Sequence, residues 1–231
     1  VSPGSNQLAV TERGVCGRAA KAIFGQRAGA AAAVMVNDTD DYPPFEGPIS
    51  ANPDDPSDTA TVSIPFLGLR SSEGPALLAA GRSTTTLSAT TVGNPGFGGY
   101  GAFSSSGPRN GDSAISPNLA APGVSIFSAA VGTGSQGRYQ SGTSMAAPHV
   151  AGVVALSAEA HPSWSAQDLA ASVTSTADPD KVVGQSVSRG GLGLVDAAQA
   201  VATTVTVTGD PFRTDSGRLR EAALSFGFAE S

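Results

Sequence analysis

The sequence predicts an α/β fold with a parallel sheet, and two features carry that prediction. Residues 31–36 form an apolar run, AAAVMV, that ends on β-branched residues and is stopped by Asn37 and Asp38. Such a run is typical of a strand buried on both faces. Stretches with helical character lie on either side of it in the chain, and strands that alternate with helices favour a parallel sheet.

The elements of the first unit, residues 1–90, follow in order. An apolar-rich strand and a turn, LAVTERGVC, precede a helix that ends in a glycine turn before the buried strand. An acidic, proline-punctuated loop occupies residues 37–58 and is too polar and kinked for regular structure. A further strand leads into a short helix that begins near Ser71, where Ser72 and Glu73 supply a cap and an early acidic residue.

The second unit, residues 91–205, begins in a glycine-rich stretch and continues into a predicted buried strand, Val124 to Ala130. A polar loop then leads to a helix over residues 145–160 that is apolar nearly all round, which predicts a buried helix. A second helix is capped by Ser163 or Ser165, and a turn and a third helix, capped by Asp196, complete the unit. Residues 206–231 remain an unassigned tail.

Composition excludes several classes of function. The formal net charge is −6 and only two lysines are present, so there is no basic stripe for a nucleic acid. No run of about 18 apolar residues exists that would span a membrane. The one cysteine, Cys16, cannot form an internal disulfide and is predicted to be a small buried apolar residue. The oligomeric state is not indicated.

Ser144 is the residue that most resembles a catalytic group. The commoner role of a serine before an apolar helix is an N-cap. Three features favour a nucleophile instead. Its neighbours, Gly142 and Thr143 before it and MAA after it, are mostly small; it lies at a helix N-terminus, where free N–H groups would stabilise an oxyanion; and a helix holds it rigidly.

Neither histidine of the sequence qualifies as the base for Ser144. Five helical steps place His149 about 140° around the helix and about 7.5 Å along it, so a histidine packed with one local hydrogen bond is expected. His161 lies roughly 25 Å away at the far end of the same helix, where a C-terminal cap is the expected role. The chain therefore contains a candidate nucleophile without a candidate base.

Several motifs resemble the subtilisin-like serine proteases (subtilases, peptidase family S8). GTSMAAPHVAGVVAL, residues 142–156, is similar to the signature around their nucleophilic serine. FSSSGP at 103–108, SPNLAAPGVSIFSA at 116–129 and GLGLVDAAQAV at 191–201 resemble the flanking segments. Asn118 stands where the family usually has Asp or a similar polar residue. The resemblance implies the C-terminal part of a parallel-sheet, three-layer catalytic domain.

A looser resemblance covers the first unit. RGVCGRAAKAIFGQRAGAAAAVMVND, residues 13–38, and VSIPFLGLRSSEGPALLAA, residues 62–80, are similar to the protease-associated (PA) domain that many larger subtilases carry as an insertion. This resemblance implies a β-rich α/β PA domain over residues 1–90, truncated at its N-terminus, upstream of the serine block.

The subtilase resemblance implies a serine endopeptidase that acts on proteins or peptides and is secreted. Ser144 would be the nucleophile and its backbone N–H one oxyanion donor, with Gly142 and Thr143 binding substrate. The triad order Asp, His, Ser places the Asp, the His and the oxyanion Asn before residue 1. The chain alone is then expected to be inactive, and its unpaired sheet edge to associate or misfold. No cofactor or metal is implied in this chain, although structural calcium is allowed in the intact protein.

Two alternatives remain open. A PA-containing remnant without catalytic activity would act in protein recognition. The spacing of Gly142, Ser144 and Ala146 also approximates the G-x-S-x-G elbow of α/β-hydrolases, but no apolar strand runs into the serine as that elbow requires. The aspartates of the acidic loop could ligate calcium, but they lack EF-hand spacing and a solvated loop is the commoner case.

Overall fold

The computed structural model describes residues 6–43, 46–55, 57–81, 83–91, 93, 94, 96–111 and 113–209, and the backbone of two short strands near the C-terminus. It divides into two compact units. The first comprises residues 1–93 and 125–140, and the second comprises residues 94–124 and 141–231. Residues 125–140, which the sequence places in the second unit, therefore group with the first.

The first unit is built on a three-stranded parallel sheet of β1 (Leu8–Glu12), β2 (Ala32–Val36) and β3 (Phe66–Leu69), in the order β1-β2-β3. All five residues of the central strand β2 are buried, which confirms the predicted buried strand and the α/β class. A strand with hydrogen-bonded neighbours on both sides and apolar side chains on both faces loses its whole surface to the core.

Helix α1 (Arg18–Arg27) packs on β2 and buries Ala22 and Ile23. After α1, Gly29 adopts φ 84°, a conformation that costs glycine little. Helix α2 (Gly74–Ala79) follows a 3₁₀ turn, Ser71–Glu73, after β3. The helical segment thus begins at Ser71, as predicted.

Individual aspartates of the acidic loop form hydrogen bonds with α1 and with the 3₁₀ turn. Asp58 accepts hydrogen bonds from the Arg27 guanidinium and the Asn52 amide, and these hold the pKa of its carboxyl below the ordinary value. Asp40 accepts from the main-chain N–H of Ser72 at 3.1 Å, and its pKa is lowered mainly by hydrogen bonds from Ser72. These contacts give the loop a structural role without regular secondary structure.

The predicted strand Val124 to Ala130 forms, but it is not buried. Strand β4 (Ile126–Ala129) pairs antiparallel with β5 (Gly137–Gln140), and only Ile126 of β4 is partly covered. The rings of Phe127 and Tyr139 lie 4.9 Å apart across the pair. The burial prediction was wrong because the hairpin has only two strands and no described helix or strand packs extensively on it; the Tyr139 ring lies against Gly47, but three of the four β4 residues stay exposed. β5 itself falls in a stretch predicted as loop.

The second unit is mainly helical. It contains α3 (Thr143–Ala160), α4 (Ala166–Ser175), α5 (Val187–Gly190) and α6 (Ala197–Ala202). Helix α3 packs against α4 and α6 around Val153, Val173 and Ala200. In the described residues, no helix combines the length and the apolarity that crossing a bilayer requires. The remaining strands, β6 (Phe212–Thr214) and β7 (Gly217–Leu219), pair antiparallel in the tail that the sequence left unassigned.

Helix α3 is the largest departure from expectation in this unit. The sequence predicts a buried helix, yet only Val153 and Ser157 of its 18 residues are buried, and Leu156 is 50% exposed. The reason is that α4 and α6 cover one side of α3, and no other described element packs on the opposite side to a comparable extent. An apolar composition predicts that a helix is buried, but it does not show which other elements pack against it.

Most of the predicted caps are confirmed, but the cap predicted at Ser72 is wrong, because the N-caps of the 3₁₀ turn and of α2 are Arg70 and Glu73. Ser165 caps α4 and exchanges hydrogen bonds with Asp168, whose pKa is lowered chiefly by the Ser165 hydroxyl. Asp196 caps α6 by accepting from the N–H of Gln199 at 3.0 Å, and this bond is the main cause of its lowered pKa. His161 is the C-cap residue of α3. Side-chain acceptors thus satisfy N–H groups that these helices leave free.

Ser157 allows a test of the packing beneath α3. Its hydroxyl is buried and has no hydrogen-bond partner among the described residues. A buried hydroxyl without a partner costs free energy, so Ser157→Ala is expected to raise the free energy of unfolding by about 1 kcal/mol. Urea unfolding measures it. Ser172→Ala is the matched control, because that hydroxyl is equally buried but donates to Leu169 O at 2.8 Å. Equal changes in the free energy of unfolding of the two variants would contradict a buried Ser157 hydroxyl without a hydrogen-bond partner.

Candidate functional site around Ser144

Ser144 is the second residue of α3, and its polar groups are free. The N-cap is Gly142, which makes no side-chain capping bond, so Ser144 does not have the common capping role. Its side chain is exposed. Within the described ranges, neither its hydroxyl nor its main-chain N–H has a hydrogen-bond partner. A free hydroxyl and a free N–H therefore lie together at the positive end of an 18-residue helix dipole.

The start of α3 is held by a neighbouring loop. The N–H of Gly142 donates to Gly123 O at 2.8 Å, and the N–H of Met145 donates to Gly142 O at 3.0 Å. A Cβ on Gly123 would lie 2.9 Å from Gly142 O and 3.4 Å from the Cβ of Ala146. The loop can approach the helix start this closely only because residue 123 has no side chain.

We expect Gly123→Ala to displace the first turn of α3 and to lower the free energy of unfolding by roughly 1–3 kcal/mol, the usual scale for an overfilled contact. Urea unfolding measures the loss. Gly14→Ala is the control, because a Cβ at Gly14 meets nothing within 4 Å. If Gly123→Ala unfolds at the same urea concentration as Gly14→Ala, the close approach does not hold the helix start.

A glycine turn secures the loop that leads to Gly123. In the turn from Gly190 to Gly193, the N–H of Gly193 donates to Gly190 O at 3.0 Å. Leu192 N–H donates to Asn118 O at 2.9 Å, and Ala120 N–H donates to Gly193 O at 2.8 Å. The predicted turn is thus present and holds the segment that contacts the helix start.

Thr143, the first residue of α3, lines a cavity of about 300 Å³. Its other walls are residues 104–110, Ser116 and Pro117, which include four serines. These walls come from two of the sequence motifs quoted above. An open cavity lined by both polar and apolar groups, beside an exposed hydroxyl, is a suitable place for part of a peptide.

The two histidines are engaged elsewhere. Nδ1 of His149 donates to Met145 O at 2.8 Å, and the side chain is exposed, so the predicted local hydrogen bond is present but the predicted packing is wrong. The first turns of α3 present His149 to solvent because no described element covers that face. Nε2 of His161 donates to Val201 O at 3.0 Å, and its ring stacks on Trp164 at 3.8 Å. Neither ring is hydrogen-bonded to Ser144.

Pro148 is a feature of this site that the sequence analysis did not use. It lies inside α3, four residues after Ser144. Because proline has no N–H, the carbonyl of Ser144 lacks the helical hydrogen bond that residue 148 would otherwise donate. The spacing of the two residues was visible in the sequence and could have predicted this missing bond. The cavity and the contact of Gly123 with the helix start had no comparable local signal.

No metal site is evident in the described parts of the chain. No three His, Cys, Asp or Glu side chains in those residues are grouped closely enough to hold a metal ion. The aspartates of the acidic loop, which the sequence analysis considered as calcium ligands, contact arginines or main-chain amides. The groups available for chemistry at the candidate site are therefore the hydroxyl and the main-chain N–H of Ser144.

Comparison with known proteins identifies the family. The subtilase family model matches residues 26–209. The minor extracellular protease Vpr of Bacillus subtilis (strain 168) is 33% identical over 181 residues, covering 75% of this chain and 21% of Vpr. The subtilisin-like proteases SBT3.17 and SBT3.4 of Arabidopsis thaliana are 40% and 43% identical over 91 and 95 residues, each covering 39% of this chain and 12% of the relative. This chain belongs to the subtilase family.

Proposed function

We propose that this chain carries the nucleophilic serine of an endopeptidase, and that the serine is Ser144. The observation that carries the proposal is the free, exposed hydroxyl of Ser144 next to its own free N–H at the start of α3. A serine placed to cap a helix would use its oxygen to accept an N–H. Here Ser144 Oγ accepts no such hydrogen bond and is available to attack a substrate carbonyl.

The proposed chemistry is acyl transfer. Ser144 Oγ attacks the carbonyl carbon of a peptide bond while a base takes its proton, and the carbonyl oxygen becomes an oxyanion. The N–H of Ser144 donates to that oxygen, and the helix dipole favours its negative charge. The base then gives the proton to the nitrogen of the scissile bond, so that collapse of the intermediate expels the amine and leaves an acyl group on Ser144. Water then removes the acyl group.

Substrate contacts are proposed for the residues that flank the nucleophile. Gly142 offers an unobstructed approach to the hydroxyl because it has no side chain, and Thr143 lines the cavity of about 300 Å³. We propose that this cavity receives part of the peptide chain. Proteins and peptides, rather than nucleic acids, fit a site without clustered basic side chains.

The base is proposed to lie outside these 231 residues. The sequence has two histidines, and each ring already donates to a main-chain carbonyl away from Ser144. The His, the Asp that orients it and the second oxyanion donor, an Asn, would then be supplied by another segment. The chain on its own would retain only what the Ser144 N–H and peptide binding contribute, and we expect no measurable hydrolysis from it.

A PA-type module is proposed for residues 1–90, and secretion for the protein. The parallel order β1-β2-β3 with α1 between the first two strands supports a strand-helix-strand module at this place. Vpr is an extracellular protease by its name, which supports the same location for this protein.

The test uses the protein expressed from its natural gene, incubated with denatured casein. We expect new amino termini to accumulate, because peptide bonds are cleaved inside the casein chains, and a fluorophosphonate to stop their appearance. A folded protein that binds casein but releases no new amino termini would overturn the proposal and favour a recognition role.

A further inference from the structure

Cys16 and Lys21 form a side-chain pair at the start of α1 that the proposed protease chemistry does not use. Gly17 is the N-cap of this helix, so Cys16 occupies the position before the cap and Lys21 the fourth helical position. Side chains at these two positions characteristically pack against each other. Here the contact is polar: Lys21 Nζ lies 3.1 Å from Cys16 Sγ.

Lys21 is buried to an unusual degree for a lysine. Only 8% of it is exposed, and its neighbours Ala20, Ala22 and Ile23 are at most 1% exposed. A buried ammonium normally pairs with a carboxylate. Among the residues that the structure describes, the one hydrogen-bond acceptor of the Lys21 ammonium is the Cys16 sulfur, which is a weak acceptor.

The nearby carboxylates are used by other groups. Asp54 accepts from the main-chain N–H of Gly17 at 2.7 Å, and Glu46 pairs with the guanidinium of Arg18. Lys21 is therefore held against the thiol without competition from a described carboxylate. Cys16 itself is partly exposed rather than buried as the sequence predicted, so a small oxidant can reach the sulfur from solvent.

We propose that Cys16 and Lys21 are a peroxide-dependent crosslinking site. Hydrogen peroxide first oxidises the thiol: sulfur loses two electrons, the O–O bond breaks, and Cys16–SOH and water form. The nitrogen of Lys21 then displaces the hydroxyl, giving Cys16–S–NH–Lys21, one water and one proton released to solvent. This second step is a condensation of the kind that sulfenic acids undergo with nitrogen nucleophiles.

The geometry favours condensation over further oxidation. The sequence has no second cysteine, so an internal disulfide cannot capture the sulfenic acid, whereas the Lys21 nitrogen already touches the sulfur. The crosslink closes a loop across the first turn of α1. The crosslink would attach Cys16, in the segment before the helix, to the buried Lys21. A thiol reductant would break the S–N bond.

The experiment treats the full chain with hydrogen peroxide and maps it by mass spectrometry. After trypsin, we expect the peptide of residues 14–18 to be joined to a peptide of residues 19–27 that is uncut at Lys21, with two hydrogen atoms fewer than the two peptides together, and dithiothreitol to separate them. In Lys21→Arg, which keeps the charge but is a much poorer nucleophile, we expect the crosslinked species to be lost and a dimedone-reactive sulfenic acid to appear at Cys16.

Other oxidation products in the unsubstituted chain would overturn the proposal. This mass measurement does not require that a variant folds. Cys16 carrying two or three added oxygens without any crosslinked peptide would contradict condensation. A disulfide between two chains would do the same, as would a peptide that has gained one oxygen and lost two hydrogens, the signature of an S–O–N bridge. Cys16→Ser must abolish every one of these mass changes.

Discussion

Replacing Ser144 with alanine is expected to lower the rate of peptide hydrolysis by the natural protein by several orders of magnitude. Without the hydroxyl no acyl-enzyme can form, and only the oxyanion donors and substrate binding remain. The measurement is the initial rate of cleavage of a fluorogenic peptide, with KM determined separately. KM should change little, because Thr143 and the cavity beside it are unaltered.

Ser157→Ala is the matched control for this prediction. It removes a hydroxyl from the same helix, about 20 Å further along α3 by the rise per residue, at a buried position. Its rate of hydrolysis should equal that of the unsubstituted protein. Hydrolysis that persists in Ser144→Ala would show that another residue is the nucleophile.

Gly191→Ala is expected to cause the largest loss of stability, about 3 kcal/mol or more. Gly191 has φ 55° and ψ −124°, the conformation of the first central residue of a type II′ turn, which strongly favours glycine. A Cβ there would lie 2.0 Å from Asn118 O. The variant must break the contact between the turn and residue 118 or unfold part of the unit.

Thermal unfolding measures this effect, and Gly152→Ala is the control. Gly152 lies inside α3, where an added Cβ meets nothing within 4 Å, and alanine favours a helix over glycine by up to about 1 kcal/mol. Gly152→Ala should therefore unfold at a slightly higher temperature and Gly191→Ala at a much lower one. Similar melting temperatures for the two would show that the turn tolerates a side chain.

Elements with a local signal were predictable from the sequence. The apolar run that ends at Val36 predicted β2, because every residue of a central parallel strand is covered. Ser165 and Asp196 predicted the starts of α4 and α6, because a cap is an interaction with residues two or three positions away. The position of Ser144 at a helix N-terminus followed from the same kind of local pattern.

Features that depend on distant neighbours were not predictable in the same way. The burial of α3 was overestimated, because its apolar face says nothing about which elements are present to cover it. The exposed hairpin that contains β4 was missed for the same reason. The contact between Gly123 and Gly142 joins residues 19 positions apart, and a single glycine in a sequence does not reveal which main chain approaches it.

The most direct measurement of the central claim is the rate and site of fluorophosphonate labelling in the natural protein and in the double variant His149→Asn, His161→Gln. Each replacement keeps an N–H at the position of the ring nitrogen that donates in the structure. Labelling of Ser144 at equal rates in both proteins is the predicted result. A label on another serine, or labelling of Ser144 that is lost in the double variant, would contradict a nucleophile at Ser144 whose base lies outside these residues.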